Sequence, residues 1–264
     1  MNIEVILTPA ELPALKQRAL SNAACVVFDV LRATSTFVTA LQNGARAIVP
    51  VSEIPEALAR RQQQPDLLLA GERDGVRIRA AQSGGIDFDL GNSPREYTPE
   101  KVRGQTIVST TTNGTRALRA GAGAKTVLAA SFLNLGATAD VLQRLSPAQI
   151  VLVCAGTREH TALEDVLAAG ALCEMLEAGS SRSGDRTVPR AVPAQFSDSA
   201  EMARRTYLQA RSDLAAAVRI SENAQRLLAI PELRDDVLFC LQRDLFPLVA
   251  RLEADGAIRA LATA

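Results

Sequence analysis

The 264-residue chain contains no tryptophan, two tyrosines, seven phenylalanines and a single histidine, His160. So few aromatic faces leave no platform on which the bases of a single strand could stack. One histidine cannot complete the usual structural zinc sets, and the four cysteines (Cys25, Cys154, Cys173, Cys240) form no CxxC pair. Each cysteine lies in an apolar run, which points to buried thiols in a reducing compartment rather than a disulfide framework. An excess of one charge is missing too: 29 basic and 29 acidic side chains cancel, leaving no electrostatic footprint for nucleic acid or an anionic membrane. Lysine is nearly absent (Lys16, Lys101, Lys125), so positive charge is almost all arginine. No apolar run approaches the roughly 20 residues that span a bilayer, and the opening MNIEVIL lacks the basic start of a secretory signal. These absences predict a soluble, cytoplasmic globular protein that folds without metal or disulfide staples.

The first two-thirds of the chain alternates short β-branched runs with alanine-rich stretches. Strands are predicted at Ile3–Leu7, Cys25–Asp29, Ala47–Val51, Leu67–Ala70, Thr106–Thr110, Thr126–Ala130 and Ile150–Cys154. Most are continuously apolar rather than alternating, so helices should cover both faces. Helices are predicted at roughly 33–43, 53–63, 113–121, 133–145 and 162–178. That order implies a three-layer α/β/α sandwich with a mainly parallel or mixed sheet, built as one domain over 1–264. From Pro193 onward the pattern is helical with no clear strand, so residues 194–264 read as helices packed on the sheet. Ser180 to Pro193, rich in Ser, Gly, Pro and charge, reads as a loop or linker, a disordered connection in preference to a lid.

Three stretches share the layout strand, small polar turn, helix: VVFDVLRATSTFVTALQ, IVSTTTNGTRALRA and IVLVCAGTREHTALEDVL. They form an internal echo that is either a duplication or the generic grammar of βα units. In a parallel sheet, right-handed crossovers would bring the three turns to one edge, where α/β proteins bind ligands.

The turns carry the chemistry. Asp29 ends a buried strand, where an unpaired carboxylate is costly. Beyond it, Arg32 can offer a fork to an oxyanion, and Thr34, Ser35 and Thr36 offer hydroxyls at a helix start; an N-capped helix with an Asp–Arg pair explains the same residues equally well. Thr111, Thr112, Asn113, Gly114 and Thr115 follow another strand as a hydroxyl-rich nest, without the GKS or GKT of a nucleotide loop. Glu72 and Arg73 place an anion and a cation at a third strand end, and Asn92 and Ser93 lie in a turn-forming Gly-Asn-Ser-Pro. Glu164 and Asp165 open a helix, where the dipole favours them, or hold Mg²⁺, which takes one or two carboxylates plus waters and phosphate oxygens. His160 reads as a surface residue. Asp29, Glu72, Glu164 and Asp165 form the pool of metal ligands, and Asp29 and Arg32 the reacting pair. With no Ser–His or Cys–His pair evident, the combination favours metal-assisted handling of a small phosphorylated acid.

FDVLRATST, GER, LGNSP, TTTNGT, CAG, LED and the late DDVLFC, in that order, resemble the 2-phosphosulfolactate phosphatases, from about Val26 to about Asp244. The resemblance implies an Mg²⁺-dependent enzyme with an α/β/α core that hydrolyses (R)-2-phospho-3-sulfolactate to 3-sulfolactate and phosphate. In some archaea that product leads toward coenzyme M, and in bacteria it serves other sulfonate routes. Arg32 and Arg73 are the arginines expected to meet the substrate's anionic groups. The alternatives are a phosphatase for another 2-phospho-acid and a non-catalytic sensor of phosphorylated or sulfonated metabolites. The expected partner is a small anion, with neither nucleic acid nor membrane; assembly as a homodimer is left open.

Overall fold

A computed structural model describes residues 1–181 and 193–261. The strands are β1 (Asn2–Ile6), β2 (Ala23–Phe28), β3 (Ala47–Val51), β4 (Leu68–Arg73), β5 (Val76–Arg77), β6 (Thr106–Thr110), β7 (Thr126–Ala130), β8 (Gln149–Cys154), β9 (Gln195–Phe196), β10 (Ala250–Leu252) and β11 (Ile258–Ala260). The α-helices are α1 (Leu12–Lys16), α2 (Ala33–Gln42), α3 (Ile54–Gln63), α4 (Ala80–Ser83), α5 (Pro99–Val102), α6 (Gly114–Ala120), α7 (Leu135–Leu145), α8 (Leu163–Ser181), α9 (Asp198–Ala210), α10 (Leu214–Arg219), α11 (Glu222–Ala229) and α12 (Arg234–Cys240). Each predicted strand and helix is present within a few residues of its expected bounds. Ser197, Asp213 and Ser221 cap α9, α10 and α11 by accepting N–H bonds from Ala200, Ala216 and Ala224. All four cysteines are free and buried.

All strands join one sheet in the order β5-β4-β6-β3-β11-β10-β7-β2-β8-β1-β9. Its long strands bury both faces because successive residues point to opposite sides. On β2, Val26 and Phe28 pack with α8 residues such as Leu167 and Leu172, whereas Cys25 and Val27 pack with Phe37 and Leu41 of α2. A third cluster joins Val51, Leu69 and Val108 to Ala57 of α3. Helices therefore cover the sheet on both sides, as an α/β sandwich requires.

The expectation that the last third is purely helical is corrected by β9, β10 and β11. The β10–β11 hairpin enters the middle of the sheet between β7 and β3, and all three of its pairings are antiparallel. The sheet is consequently mixed. Block β4-β6-β3 runs opposite to block β7-β2-β8-β1, each being parallel within itself. In a flat sheet the carboxyl ends of the two blocks would face away from each other. Residues following β2, β4, β6 and β8 nevertheless line one cleft, so the sheet must bend across the hairpin. Helix α2 occupies the bend, touching β7, β10, β11 and β3. The turns after β2 and β8 share an edge as expected; the turn after β6 reaches them through this bend. Helix α8 runs to Ser181, and residues 182–192 of the predicted connection from Ser180 to Pro193 lie outside the described residues.

Helix α9 packs along α8 at Gly170, where a β-carbon would overlap the carbonyl oxygen of Ala203. Because a backbone atom cannot yield as a flexible side chain can, Gly170→Ala should destabilise the protein by about 1–3 kcal/mol. A urea titration followed by circular dichroism measures this as a lower midpoint at constant slope.

Candidate active site

The cleft at the joined strand ends opens to solvent and is lined by residues that follow β2, β4, β6 and β8 and by residues of α11. Asp29 stands at its base just past β2. Its Oδ1 accepts the Ala33 N–H at 3.0 Å. Its Oδ2 faces Gly114, where a β-carbon would come within 2.7 Å of that oxygen and 2.8 Å of the Ala33 methyl. Gly114 thus lets the turn after β6 close onto Asp29, a reason for glycine at this position that is steric rather than conformational.

The remaining carboxylates differ in what they hold. Glu72 accepts at Oε1 from the Thr112 N–H (3.0 Å) and hydroxyl (2.9 Å), and at Oε2 from the Gly75 N–H at 2.8 Å. Asp165 clamps two strand-end turns together, taking the Val30 N–H on Oδ1 at 2.8 Å and the Gly156 N–H on Oδ2 at 3.0 Å. Glu164 is different: Asn223 donates to Oε1 at 2.7 Å, but among the described residues buried Oε2 has no hydrogen-bond partner. The buried Oδ1 of Asn113 is likewise unpartnered, while its Nδ2 donates to the Gly156 carbonyl at 2.8 Å. Two orphaned oxygens are an anomaly in a folded interior and call for an explanation.

Electrostatics supply one. Burial pushes the Asp29 carboxyl up to about 7, opposed by the Ala33 N–H and reinforced by the charges of Glu72 and Glu164. Burial also raises Asp165 well above its ordinary range, with Asp29 and Glu164 adding to the effect, and raises Glu164. The carboxylates therefore repel one another; Asp29 and Glu72 line the cleft, and Glu164 and Asp165 are buried outside its lining. They do not converge into a ready cage, since among the described residues no three His, Cys, Asp or Glu side chains group as a metal site. A hard cation that keeps most of its waters and takes only one or two protein oxygens fits this arrangement. Asp29 and Glu164, with the amide oxygen of Asn113, offer the uncommitted oxygens.

The hydroxyls singled out in the sequence hold the turns together. Thr34 donates to the Asp29 carbonyl, Ser35 to the Val30 carbonyl and Thr36 to the Asn92 carbonyl, at 2.9, 2.8 and 2.8 Å. All three are fully buried and outside the cleft lining. Thr111 and Thr115 face each other at 3.3 Å. Asn92, Thr111, Thr112 and Asn113 line the cleft; Ser93, Gly114 and Thr115 stand behind it. Arg73 is turned onto β6, donating to the Glu72 carbonyl and the Thr110 hydroxyl. Arg32 does line the cleft, with one amino group 2.8 Å from Asp236 and the other donating to the Gly75 carbonyl. His160 is exposed.

Asp74, Gly75, Asn223 and Arg226 line the cleft from outside the motifs read in the sequence, and Arg158 lay within CAGTREHTALED without being singled out. Asp236, behind Arg32, was visible only as part of DDVLFC. Asn223 donates to both Thr157 Oγ1 (2.6 Å) and Glu164 (2.7 Å), so α11 from the last third positions the acid at the start of α8.

A polar cleft at the strand ends of an α/β sheet, with acidic groups at its base and arginines around it, places the chain among α/β proteins that take small anionic ligands. A family model described as 2-phosphosulpholactate phosphatase matches residues 7–255. A probable 2-phosphosulfolactate phosphatase of Caldanaerobacter subterraneus subsp. tengcongensis is 37% identical over 248 residues, covering 93% of this chain and 94% of its own. Proteins of the same description from Thermotoga petrophila (41% over 227 residues, 86% and 88% covered) and Clostridium acetobutylicum (32% over 250 residues, 94% and 96%) are also similar. The chain belongs to the 2-phosphosulfolactate phosphatase family, a family of phosphatase-type hydrolases. No described helix is long and apolar enough to cross a membrane.

Proposed function

We propose that the cleft hydrolyses the phosphate ester of 2-phosphosulfolactate with the help of Mg²⁺, releasing phosphate and 3-sulfolactate. The observation that carries the reading is the set of buried carboxyls with raised pKa beside two unpartnered oxygens, of Glu164 and Asn113. An acidic base alone would repel a phosphate; one that recruits a divalent cation attracts it. Asp29 and Glu164 with Asn113 hold the ion, and Asp165 and Glu72 fix the turns that present them. When bound, the ion polarises the phosphoryl group and offsets its charge.

The chain's own groups do the rest. Arg32, held by Asp236, keeps guanidinium N–H groups for phosphate oxygens, and Thr111 and Thr112 line the same wall. Asp29 serves either as the nucleophile toward phosphorus or as the group that helps orient the ion and an attacking water. Burial raises this carboxyl to about 7, so a cation beside it favours the ionised form at neutral pH.

Phosphate release from 2-phosphosulfolactate and from phospholactate, with and without Mg²⁺, tests the reading. The expected outcome is loss of nearly all turnover in excess chelator and full recovery on adding Mg²⁺, with the circular dichroism spectrum unchanged throughout. Full-rate turnover in chelator overturns the metal assignment. Absence of release from either ester with Mg²⁺ present favours a sensor of phosphorylated or sulfonated acids.

A further inference from the structure

Beyond the phosphate-handling base of the cleft stands a guanidinium with no partner among the described residues. Thr157–His160 forms a tight two-residue turn after β8, closed by reciprocal bonds of 2.8 and 2.9 Å between the backbones of Thr157 and His160. Arg158 is the first central residue, with φ +55, the left-handed region that a β-carbon disfavours and where turns of this kind usually carry glycine. The turn is firmly seated: Asn113 donates to the Gly156 carbonyl, the Gly156 N–H donates to Asp165, and Asn223 donates to Thr157. Its other central residue, Glu159, faces Arg116 at 2.9 Å. Arg158 lines the cleft yet makes no hydrogen bond or ion pair among the described residues, unlike Arg32 and Arg226, which hold Asp236 and Glu222.

We infer that Arg158 is the specificity residue of this site, taking the second anionic group of the substrate, the sulfonate or carboxylate remote from the ester, while the base of the cleft holds the phosphate. The inference rests on the phosphatase reading above. Three observations point the same way. The turn fixes the Cα of Arg158 through bonds to both the β6 and the α11 sides of the cleft. Among the described residues none accepts from its five guanidinium N–H donors, and their planar fork matches the oxygens of a sulfonate or carboxylate. The acids at the base, Asp29 and Glu72, line the same cleft, so a ligand bearing a second anion gains from being held at the rim rather than pushed inward. A phosphate ester without that second anion would bind through its phosphate alone.

The test compares Arg158→Gln and Arg158→Lys with the unaltered protein on 2-phosphosulfolactate and on p-nitrophenyl phosphate, both with Mg²⁺. Arg158→Gln should lose roughly 100-fold in kcat/KM on 2-phosphosulfolactate, mostly through KM, and at least tenfold less on p-nitrophenyl phosphate; a charged, hydrogen-bonded contact is worth that order of binding. Arg158→Lys should recover part of the loss, since it restores charge without the fork. Equal losses on both esters, or none on either, overturn the inference. Calorimetric titration with 3-sulfolactate separates this outcome from failure of the phosphatase reading. If the unaltered protein turns over neither ester, weaker binding of 3-sulfolactate by Arg158→Gln still supports the inference, and equal or absent binding refutes it.

Discussion

Asp29→Asn should abolish turnover by several orders of magnitude while making the metal-free protein more stable above neutral pH. The two effects come from one charge. In the folded chain the Asp29 carboxyl titrates near 7, raised from 3.8 first by burial and then by Glu72 and Glu164; in the unfolded chain it returns to its ordinary value. Below about pH 4 both states hold the proton and the group contributes nothing. Between about 4 and 7 the unfolded chain gives up its proton first, so stability falls as pH rises, and above 7 the full penalty is present. A shift from 3.8 to about 7 caps that penalty at about 4 kcal/mol. Asparagine keeps the shape and can still accept the Ala33 N–H through Oδ1, so the substitution removes the charge and little else. Chemical denaturation in chelator should show the variant more stable by about 1–3 kcal/mol at pH 8 and indistinguishable at pH 4. Activity with Mg²⁺ should be lost at both. A variant with near-normal turnover would reduce Asp29 to a helix cap, a role Asn fills about as well as Asp. Loss of activity together with loss of stability at pH 8 would mean that the carboxylate is satisfied in the resting fold and needs no cation.

How far the chain could be read in advance follows from what kind of signal each element leaves. Buried parallel strands are uninterrupted apolar runs, and Ala47–Val51, Thr106–Thr110 and Thr126–Ala130 fall on the residues expected. The β10–β11 hairpin left a fainter mark. Its strands are three residues long, each with a central arginine, Arg251 and Arg259, and hydrophobic periodicity over three residues cannot be told from a helix. The Asp255–Gly256 pair between two apolar runs, with Gly256 at φ +80, was the available clue. Missing the hairpin hid the reversal of half the sheet and hence the bend that brings the turn after β6 to Asp29.

The site shows the same division. Acids and small polar residues at strand ends are a local pattern, which is why Asp29, Glu72, Glu164 and Asp165 could be singled out. Whether a hydroxyl faces the cleft or the backbone is decided by which carbonyl lies nearby, and Thr34, Ser35 and Thr36 each have one within 2.9 Å. Arg158, Asn223 and Arg226 reach the cleft from a two-residue turn and from α11. For Asn223 and Arg226 nothing in their own neighbourhood of sequence shows that, because α11 reaches the cleft by the packing of the last third onto the sheet; Arg158 sat in a turn expected at the ligand edge, but no local signal set it apart from Glu159 and His160.

That packing is locked to the cleft by the pair with the second large expected effect, Arg32 and Asp236. Their side chains are 2% and 0% exposed and meet at 2.8 Å. The other oxygen of Asp236 accepts the Ser93 hydroxyl at 2.7 Å, so one buried carboxylate on α12 ties down both the turn after β2 and the Gly-Asn-Ser-Pro turn. Asp236→Ala would leave a guanidinium buried without its counter-charge, and a charge cannot be returned to water without opening the site. The cost of breaking one side of such a pair is about 3–5 kcal/mol, a large fraction of a typical domain's stability. Asp236→Asn keeps the volume and one acceptor and should cost less, while still lowering kcat/KM because Arg32 loses the partner that aims it. The informative variant is the double one, Arg32→Leu with Asp236→Leu. It removes both charges from the interior and should recover most of the stability lost in Asp236→Ala, as replacement of buried ion pairs by apolar groups commonly does, yet remain inactive. Thermal unfolding and phosphate release on the three variants separate the outcomes. If the double variant is as unstable as Asp236→Ala, the pair holds the fold through its hydrogen bonds rather than through balanced charge. If it retains turnover, Arg32 does not touch the phosphate and the wall of the cleft that recognises it must be sought on the turn after β6.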